Sequence, residues 1–345
     1  MKILMLAPQP FFEPRGTPIS VYQRLTALSQ LGYHVDLVTY HIGASPDVPN
    51  VTIHRTWPVP FVNQIKIGPS WIKPILDLLV FIKAFFLLMR RQYDVIHTHE
   101  EAAFMAVILA PLFRTKHLYD MHSSLPKQLV NYGVGDWWPL LNIFEWLERL
   151  VINTCDAVIT IDRQLEEHTQ AINPKVNQLR VENISMGTPN GRSAATLRHQ
   201  HNLHEKTAVV YTGSFERYQG LDLIIRSIQK VKTRFPQVSY IMVGGKTDQI
   251  QQLQALAADL NLDDCVQFPG IVSPDEALAY LEAADILISS RTEGTAVPLK
   301  VYSYLHAGKP IVATDLEAHT QVFDARISML VPPTADALAD GVLAL

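Results

Sequence analysis

The chain has 345 residues, 48% of them hydrophobic and 18% charged, so it is long enough for two domains with large cores and is not an intrinsically disordered protein. Its 29 basic and 33 acidic residues give a net charge of −4, which argues against a general nucleic-acid-binding protein. We therefore expect a folded two-domain protein with no nucleic-acid partner.

The first 186 residues alternate short apolar strands with helical patterns. The N-terminus "MKILMLAPQP" is predicted to form the first strand and not a signal peptide, because its apolar run is too short and no cleavage site follows. Six more strands are expected at 34–40, 51–57, 94–100, 116–122, 156–162 and 178–184, and helices at 18–31, 72–91, 101–113, 140–153 and 163–171. Such continuous apolar strands are covered by helices on both faces, which predicts a doubly wound α/β domain.

The most apolar of these helices, "WIKPILDLLVFIKAFFLLMRRQ", is interrupted by Lys73, Asp77 and Lys83. A charge near the centre of a bilayer costs about 3 kcal/mol, so a membrane-spanning helix is disfavoured. A buried core helix is the first interpretation. The alternative is peripheral membrane contact through residues 66–91, in which five cations meet anionic lipid at the inner membrane surface: Lys66, Lys73, Lys83, Arg90 and Arg91.

The residue composition and the hydrophobic periodicity change near residue 186. The stretch "MGTPNGRSAATLRHQHNLHEK" has turn residues and little periodicity, which predicts a linker over 187–206. The alternation then restarts and predicts a second α/β domain over 207–345. Its strands are expected at 208–213, 239–244, 265–270, 286–290, 310–315 and 327–331, and its helices at 219–233, 247–261, 275–283 and 299–307. The sequence ends inside a further helical pattern, "TADALADGVLAL".

The two cysteines, Cys155 and Cys265, lie far apart, each inside an apolar run. They are interpreted as buried free thiols, which fits a reducing cytoplasm. No cysteine and histidine cluster has the spacing of a zinc site, and we expect no bound metal.

Ligands of doubly wound sheets collect where strands end, and three such corners carry polar residues. In the first, "APQPFFEPRGTPIS", Gly16 permits close backbone approach and the following helix offers free N–H groups to an anion or hydroxyl. The corner lacks the G-x-G-x-x-G pattern and the P-loop lysine, so a dinucleotide or Walker site is poorly supported. An ordinary strand-to-helix turn is the alternative.

The second corner combines "DVIHTHEEAA" with "LYDMHSSLP". His97, His99, Glu100 and His122 are placed at strand ends, and alternation sends His97 and His99 to the same side. A structural role and a catalytic role for these histidines both remain open.

The third corner lies in the second domain, in "YTGSFERYQGLDLIIRS", "VGGKTD" and "RTEGTAVPLKVYSYLHAGKPIVAT". Gly213 and Gly220 bracket one strand-to-helix loop, and Gly244 ends the next strand. Several glycine-rich turns at one sheet edge favour a nucleotide-type ligand over plain turns.

Taken in order, six stretches make the chain resemble the GT-B glycosyltransferases of family 4 over about residues 1–335: "RGTP", "DVIHTHE", "DMHSS", "TGSFERYQGLD", "ADILISSRTEGT" and "PLKVYSYLHAGKPIVATD". The resemblance implies two Rossmann-like domains facing across a cleft. It also implies a retaining enzyme with a nucleotide-sugar substrate, no cofactor and no divalent metal. Family members usually end with a helix that crosses back onto the N-terminal domain, so we expect this sequence to be partial.

The resemblance also implies site residues. His122 is expected beside the transferred sugar and Glu293 on the sugar hydroxyls, as the catalytic pair. Donor-binding positions are then Gly16, Gly213, Ser214, Arg217, Gln219, Gly244, Lys246, Thr295, Lys300 and Ser303. Arg15, Thr17 and His99 are expected on the acceptor side.

The chain departs from the family at three of these positions. Ser214 and Gln219 stand where the family usually has an arginine and a lysine, and Ser303 stands where it has a second glutamate. Losing two cations should weaken diphosphate binding, because charge-assisted hydrogen bonds are about twice as strong as neutral ones. Lys300, Arg217 and Lys246 are candidate replacements, and Lys300 is favoured because it lies close to Glu293 in sequence.

The sequence therefore predicts a retaining glycosyltransferase that moves a sugar from a UDP- or GDP-sugar to a hydroxyl on a glycan, a lipid-linked molecule or a small molecule. Two alternatives remain: a nucleotide-sugar epimerase of the same architecture, and a non-catalytic module that binds a nucleotide-sugar or a partner.

Overall fold

The computed structural model describes residues 1–13, 16–65, 70–130, 138–184, 193–295 and 297–345, without the side chain of Trp138. The chain forms two compact units, Met1–Asn183 and Ile184–Leu345. Arg15, Lys66 and the first part of the predicted linker lie outside the described residues.

The first unit contains a seven-stranded parallel sheet with the strand order β3-β2-β1-β4-β5-β6-β7. The strands are β1 (Lys2–Ala7), β2 (His34–Thr39), β3 (Val51–Arg55), β4 (Val95–His99), β5 (Lys116–Met121), β6 (Ala157–Thr160) and β7 (Gln178–Arg180). The helices are α1 (Gly16–Gln30), α2 (Lys73–Arg90), α3 (Ala102–Phe113), α4 (Leu125–Leu129), α5 (Trp138–Thr154) and α6 (Arg163–Ile172).

The sequence of strand β1 is continuously apolar because the strand is covered on both faces of the sheet. Leu4 and Leu6 pack in a core with α2 and α3 on one face of the sheet, and Ile3 and Met5 pack in a core with α1 on the other face. All four side chains are buried, so each burial contributes roughly 1.5–3 kcal/mol. A strand covered on both faces has no polar side, as expected for a parallel sheet.

The second unit contains a six-stranded parallel sheet with the order β10-β9-β8-β11-β12-β13. Its strands are β8 (Thr207–Thr212), β9 (Val238–Val243), β10 (Val266–Gly270), β11 (Ile286–Ser289), β12 (Ile311–Thr314) and β13 (Met329–Val331). Its helices are α7 (Ala194–Gln200), α8 (Leu221–Arg234), α9 (Thr247–Asp259), α10 (Pro274–Ala283), α11 (Lys300–Ala307), α12 (Glu317–Thr320) and α13 (Ala335–Ala344).

Several helices begin at a side chain that accepts a hydrogen bond from the first turn, which satisfies a backbone N–H that the helix itself leaves unpaired. Asp162 accepts from Leu165 at the start of α6, and Ser273 accepts from Glu276 at the start of α10. These caps fix where the helices begin after short loops.

The predicted doubly wound α/β architecture is confirmed: each predicted strand is present, and the predicted helices are found within about two residues of their expected ends. Prediction from periodicity did not identify α4, α7 and α12, which are too short to show a helical repeat. Helix α7 falls within the segment predicted as a linker. It forms because Ser193 caps it and Leu197 is buried in a core of the second unit.

No helix among the described residues is both long enough and apolar enough to cross a membrane. Helix α2 instead buries one face, through Leu76, Val80, Ala84 and Leu87. This outcome agrees with the expectation that the apolar segment does not span a bilayer.

In each sheet the strand order reverses at one point. In the first sheet the reversal lies between β1 and β4, and in the second it lies between β8 and β11. The loops that follow these strands leave in opposite directions over the two faces of the sheet, which opens a crevice at the carboxyl ends. The sheet topology therefore predicts that ligand-binding residues lie on the loops after β1, β4, β8 and β11.

Gly244, which follows β9, allows the loops after β8 and β9 to approach each other. Its φ is +122°, and a Cβ built on it would lie 1.9 Å from the carbonyl oxygen of Gly213. The carbonyl belongs to the backbone and cannot move aside like a side chain, so only glycine fits here.

We expect Gly244→Ala to lower the free energy of unfolding by roughly 2–4 kcal/mol, since it combines a positive φ with overpacking against backbone. Gly308→Ala is the matched control: its φ is +62°, but no atom lies within 4 Å of the added Cβ. This control should cost only about 1 kcal/mol. Urea unfolding measures the free energy of unfolding of both variants. Equal losses of stability in the two variants would show that the close approach of Gly244 to Gly213 is unimportant.

Candidate active site

Three histidines and an aspartate come together where β4 and β5 end in the first unit. His97 and His99 share a face of β4, and His99 is in register with Asp120 of β5. His97 Nε2–H donates to Asp120 Oδ2 at 3.3 Å, and the His97 and His99 rings stack with centroids 4.8 Å apart. His122 follows β5 on the side of Asp120, with its Nε2 3.3 Å from Asp120 Oδ1. The predicted residues His99 and His122 therefore belong to one buried cluster.

Arg24 of α1 supplies the permanent cation of this cluster. Its Nε–H donates to Asp120 Oδ2 at 3.0 Å, and its terminal N–H donates to the carbonyl of Val181 at 2.8 Å. Asp120 is fully buried. Burial by itself raises the pKa of Asp120, but two effects hold that pKa well below its usual range: the charge that His122 carries when it is protonated in acid, and the hydrogen bond from His97. Asp120 is therefore an ionised carboxylate held by cationic and N–H partners.

His99 and His122 are joined directly to each other. His99 Nδ1 lies 3.1 Å from His122 Nε2, which is the distance of a hydrogen bond between one protonated and one unprotonated ring nitrogen. Burial lowers the pKa of both histidines, and the attraction of Asp120 opposes this only in part. The other nitrogen of His99, Nε2, is buried and has no hydrogen-bond partner among the described residues.

The donor atoms of His97, His99 and Asp120 lie within 4.8 Å of one another, which is close enough to suggest a metal site. However, Arg24 and His97 both already donate to the same oxygen of Asp120. A divalent ion there would have to displace the guanidinium or sit beside it. We therefore interpret the cluster as a charge-balanced hydrogen-bond network and assign no metal to it.

Glu100 directly follows β4 at the reversal point of the first sheet. Its backbone has a φ of +49°, and its Oε2 accepts a hydrogen bond from Ser123 at 2.9 Å. Gln128 donates to the same Ser123 hydroxyl. Burial, with a smaller contribution from the charge of Glu101, raises the pKa of Glu100 to about 8. The loops after β4 and β5 are thus joined through a carboxyl group that is mainly protonated at neutral pH.

The loop after β1, which leads to the "RGTP" stretch, is held at its base by Arg55 at the end of β3. The guanidinium of Arg55 donates to carbonyl oxygens of two neighbouring loops, namely those of Phe11, Tyr40, Ile42 and Ala44. Beyond this base, Gly16 begins α1, is exposed, and has no atom within 4 Å of an added Cβ. Thr17 is half-buried beside it. The Cβ position of Gly16 therefore faces open space.

In the second unit, Lys300 at the start of α11 reaches the loop after β8. Its Nζ donates to Gln219 Oε1 at 2.8 Å and lies 4.1 Å from the centre of the Tyr211 ring. Its Cδ lies 3.6 Å from a Cβ built on Gly213. Burial, together with the charge of Arg291, lowers the pKa of Lys300 well below its ordinary value. Lys300 thus contacts Gln219, the position at which the family usually has a lysine.

Other predicted donor residues lie on the same edge of this sheet. Gln219 ends a single 3-10 turn, Arg217–Gln219, that leads into α8, and its carbonyl accepts from Ser290 at 2.7 Å. Ser214 and Arg217 are exposed, and the carbonyl of Ser214 accepts from Tyr211. Lys246 is exposed at the start of α9.

The loop after β11 presents Glu293 and Thr295, both exposed. Arg291 holds this loop, because its Nε–H donates to the carbonyl of Glu293 at 2.6 Å and its guanidinium lies 5.1 Å from the ring centre of Tyr218. Ser303 is half-buried on α11. The structure therefore fixes the backbone of Glu293 while its side chain faces outward.

Three side chains that organise these sites were not among the predicted site residues. Asp120 was detectable, because it precedes His122 by two residues and so shares its face of the strand. Arg291 is the first residue of "RTEGTAVPLKVYSYLHAGKPIVAT", but the neighbouring residues do not indicate its contact with Tyr218. Arg24 had no signal at all, since it lies 96 residues from Asp120 along the chain.

Two family models match the chain, one in each unit. The model described as Glycosyltransferase Family 4 matches residues 14–182, and the model described as Glycosyl transferases group 1 matches residues 206–345. Together they account for about nine-tenths of the sequence. The chain belongs to glycosyltransferase family 4. It is thus an enzyme that transfers a sugar of the hexose type, and the predicted family and enzyme class are confirmed.

This family 4 glycosyltransferase is similar over its full length to a curated relative and to solved structures. Phosphatidyl-myo-inositol mannosyltransferase from Mycobacterium tuberculosis is 25% identical over 363 aligned positions, which cover 100% of this chain and 87% of the relative. Sucrose-phosphate synthase from Thermosynechococcus elongatus superposes with a TM-score of 0.72 at 20% identity, covering 99% of this chain and 89% of that one. HepE from Anabaena, solved with UDP and glucose, superposes with a TM-score of 0.69 at 17% identity, covering 100% of this chain and 89% of that one. These structures share the predicted GT-B fold.

We expect Glu100→Gln to stabilise the protein increasingly as the pH rises. The carboxyl has a pKa of about 8 in the folded state against an ordinary value of 4.5, so folding takes up a proton between these values and stability falls with rising pH. Glutamine cannot ionise, so the Tm gain over the native protein should be near zero below pH 4.5, grow up to pH 8, and then level off. Differential scanning calorimetry across pH 4–9 measures the Tm of the variant and of the native protein.

The control is Glu145→Gln, the same chemical change at an exposed position of α5. A Tm gain of Glu100→Gln that does not change with pH would contradict the burial of an ionisable Glu100.

Proposed function

We propose that this glycosyltransferase moves a sugar from a UDP- or GDP-sugar to an acceptor hydroxyl, with retention at the anomeric carbon. The observation that carries the proposal is the contact of Lys300 with Gln219 at the loop between β8 and α8. It supports a site for a diphosphate in a chain that lacks two cations usual in the family. The similarity to HepE, which was solved with UDP and glucose, gives further support.

In this proposal the second unit binds the donor. The leaving diphosphate gains negative charge in the transition state, so it needs preorganised positive groups. The N-terminus of α8 offers backbone N–H groups, and the ammonium of Lys300 lies beside the loop that precedes it. Arg217 and Lys246, both exposed on the same edge, can add charge. With these groups the proposed reaction uses no divalent metal and no cofactor.

Glu293 would hold hydroxyl groups of the sugar. A carboxylate accepts hydrogen bonds from two sugar hydroxyls at once, and Arg291 already fixes the backbone of Glu293. His122 would orient the sugar as charge develops at its anomeric carbon. Thr17 near the start of α1, Arg15 before it, and His99 are proposed to lie on the acceptor side, with His99 acting through His122, whereas Gly16 is proposed to contact the donor.

We expect two variants to separate diphosphate binding from sugar binding. Lys300→Met should weaken UDP or GDP binding by about tenfold or more, because it removes one charge-assisted hydrogen bond. Glu293→Gln should leave the affinity for the free nucleotide unchanged and lower kcat/KM for transfer from the nucleotide-sugar by about tenfold or more. Calorimetric titration and a transfer assay with a panel of UDP- and GDP-sugars measure these effects.

The control is Lys309→Met, which removes a lysine at the other end of α11, just beyond its C-cap Gly308. Unchanged nucleotide affinity in Lys300→Met would contradict the phosphate role. Appearance of an epimer from a UDP-sugar without acceptor would support the epimerase alternative, and binding without any turnover would support the non-catalytic one.

We also propose that α2 lies on an anionic membrane surface, where the enzyme meets a lipid-linked acceptor. The outward face of this helix and the segment before it expose large apolar side chains at helical spacing: Trp71, Ile75, Leu78, Phe86 and Met89. Ile108 and Leu112 of α3 are exposed as well, and Leu112 lines a groove of about 310 Å³ with Phe86. Apolar side chains flanked by cations are typical of a helix that lies in the membrane interface.

The cations belong to the same helix. Lys73 and Lys83 lie along it, Arg90 ends it, and Arg91 follows. Two of these cations also face carboxylates of the protein, since Arg91 pairs with Asp36 at 2.9 Å and Lys73 lies 3.9 Å from Glu101. Lys83 also contacts the half-exposed ring of Trp57. Charge complementarity thus favours anionic lipid over an uncharged partner. The relative from Mycobacterium tuberculosis is named as a mannosyltransferase of a phosphatidyl lipid, which favours a lipid-linked acceptor over a free glycan.

We expect the double substitution Leu78→Glu with Met89→Glu to reduce binding to vesicles of phosphatidylglycerol and phosphatidylcholine at least tenfold, because it places charge on the inserted face. Vesicle sedimentation measures binding, and binding of the native chain should weaken in 0.5 M salt. Ile143→Glu, at an exposed apolar position of α5, is the control. Equal binding of the double variant and the native chain, or salt-independent binding, would contradict this proposal.

A further inference from the structure

The cluster at the ends of β4 and β5 contains more ionisable groups than counter-charges. Asp120 carries one negative charge, and Arg24 pairs with it through the 3.0 Å contact of Nε with Oδ2. Three imidazoles then share the same buried space, those of His97, His99 and His122. Glu100 and His117 also lie beside these histidines: burial favours the neutral form of Glu100, and burial lowers the pKa of His117 to about 4.

A proton added to either His99 or His122 would therefore place a second positive charge beside Arg24, with Asp120 as the sole ionised carboxylate of the cluster. Charges a few ångströms apart interact strongly away from water, and a buried cation without its own anion is costly. If Arg24 were absent, the same carboxylate would have no permanent partner and would favour an imidazolium. The Arg24–Asp120 pair thus decides how much positive charge the histidines carry.

We propose that Arg24 is a positioning residue of the enzyme: by pairing with Asp120 it keeps His99 and His122 uncharged at neutral pH, so that His122 faces the transferred sugar as a neutral imidazole. The last part of this proposal rests on the proposed function, whereas the charge state of the histidines does not.

A neutral imidazole suits the chemistry of sugar transfer. The bond between the anomeric carbon and the leaving phosphate lengthens in the transition state, and the sugar becomes positively charged, like an oxocarbenium ion. An imidazolium beside it would repel that charge and oppose the reaction. A neutral His122 has one N–H and one lone pair, and it shares the hydrogen bond of 3.1 Å with His99. His99 therefore links the tautomer of His122 to the rest of the cluster.

The direction of the pKa shifts agrees with this geometry. Burial lowers the pKa of His99 and of His122, and the charge of Arg24 lowers both further, whereas Asp120 raises them. Removing the guanidinium cancels one of the lowering effects and leaves the full attraction of Asp120.

The test is nitrogen-15 NMR of the histidine rings, titrated from pH 5 to pH 9, with His99→Gln and His122→Gln used to assign the signals. In the native enzyme we expect both rings to be neutral at pH 7. In Arg24→Met we expect at least one of them to titrate about 1–3 pH units higher than in the native enzyme, as expected for a histidine beside an unneutralised carboxylate.

Two further variants separate the charge of Arg24 from its packing. Arg24→Lys keeps a cation and should leave the histidines neutral. Arg24→Met combined with Asp120→Asn removes both charges and should return the midpoint close to the native one. The proposal is overturned if the native His122 is an imidazolium at pH 7, or if Arg24→Met leaves the histidine midpoints where they are in the native enzyme.

The pH profile of kcat/KM for sugar transfer tests the role in the reaction. The acid limb of the profile in Arg24→Met should move to higher pH by the same amount as the NMR midpoint. A midpoint that moves while the acid limb stays would overturn the role of neutral His122. If no nucleotide-sugar is turned over by the native enzyme, the proposed function fails, and the NMR titration still decides whether Arg24 sets the charge of the histidines.

Discussion

Parallel strands that are buried on both faces set the geometry of both units. Because each strand runs in the same direction, all carboxyl ends meet at one edge of a sheet, and the loops that leave them are the parts of the chain free to carry polar residues. The reversal between β1 and β4 places Glu100 at such an edge, and the reversal between β8 and β11 does the same for Glu293. The same constraint thus produces a polar edge in each unit from two otherwise different sequences.

Each polar edge is reached by a basic side chain from a helix. In the first unit Arg24 extends from α1 to Asp120, and in the second Lys300 extends from α11 to Gln219. A helix beside a parallel sheet is held by its apolar face, so its long polar side chains can reach strand ends without disturbing the core. These contacts connect the fold to the chemistry, since a helix that shifted would carry its cation away from the site.

Much of the fold could be predicted from the sequence, because burial on both faces leaves a continuous apolar run in every strand. Alternation along a strand was enough to bring His97 and His99 to one side. Contacts between distant segments were not predictable in this way: nothing in the periodicity of α1 distinguishes Arg24 from a solvent-exposed arginine. Lys300 was favoured for its closeness to Glu293 in sequence, whereas the structure shows it in contact with Gln219. Sequence spacing therefore singled out Lys300, and tertiary packing decided which side chain it contacts.

Neutral residues stand at Ser214 and Gln219, where the family usually has an arginine and a lysine, and this changes how the proposed diphosphate site would be prepared for its ligand. A lysine at position 219 would carry its ammonium on the 3-10 turn itself. Here Gln219 is neutral and accepts a hydrogen bond from Lys300, whose amine also lies over the ring of Tyr211. Burial and Arg291 disfavour the charged form of Lys300 while the site holds no anion. A bound diphosphate would reverse this balance, because its negative charge favours the ammonium. The cation would then be strongest when the leaving group is present to be stabilised.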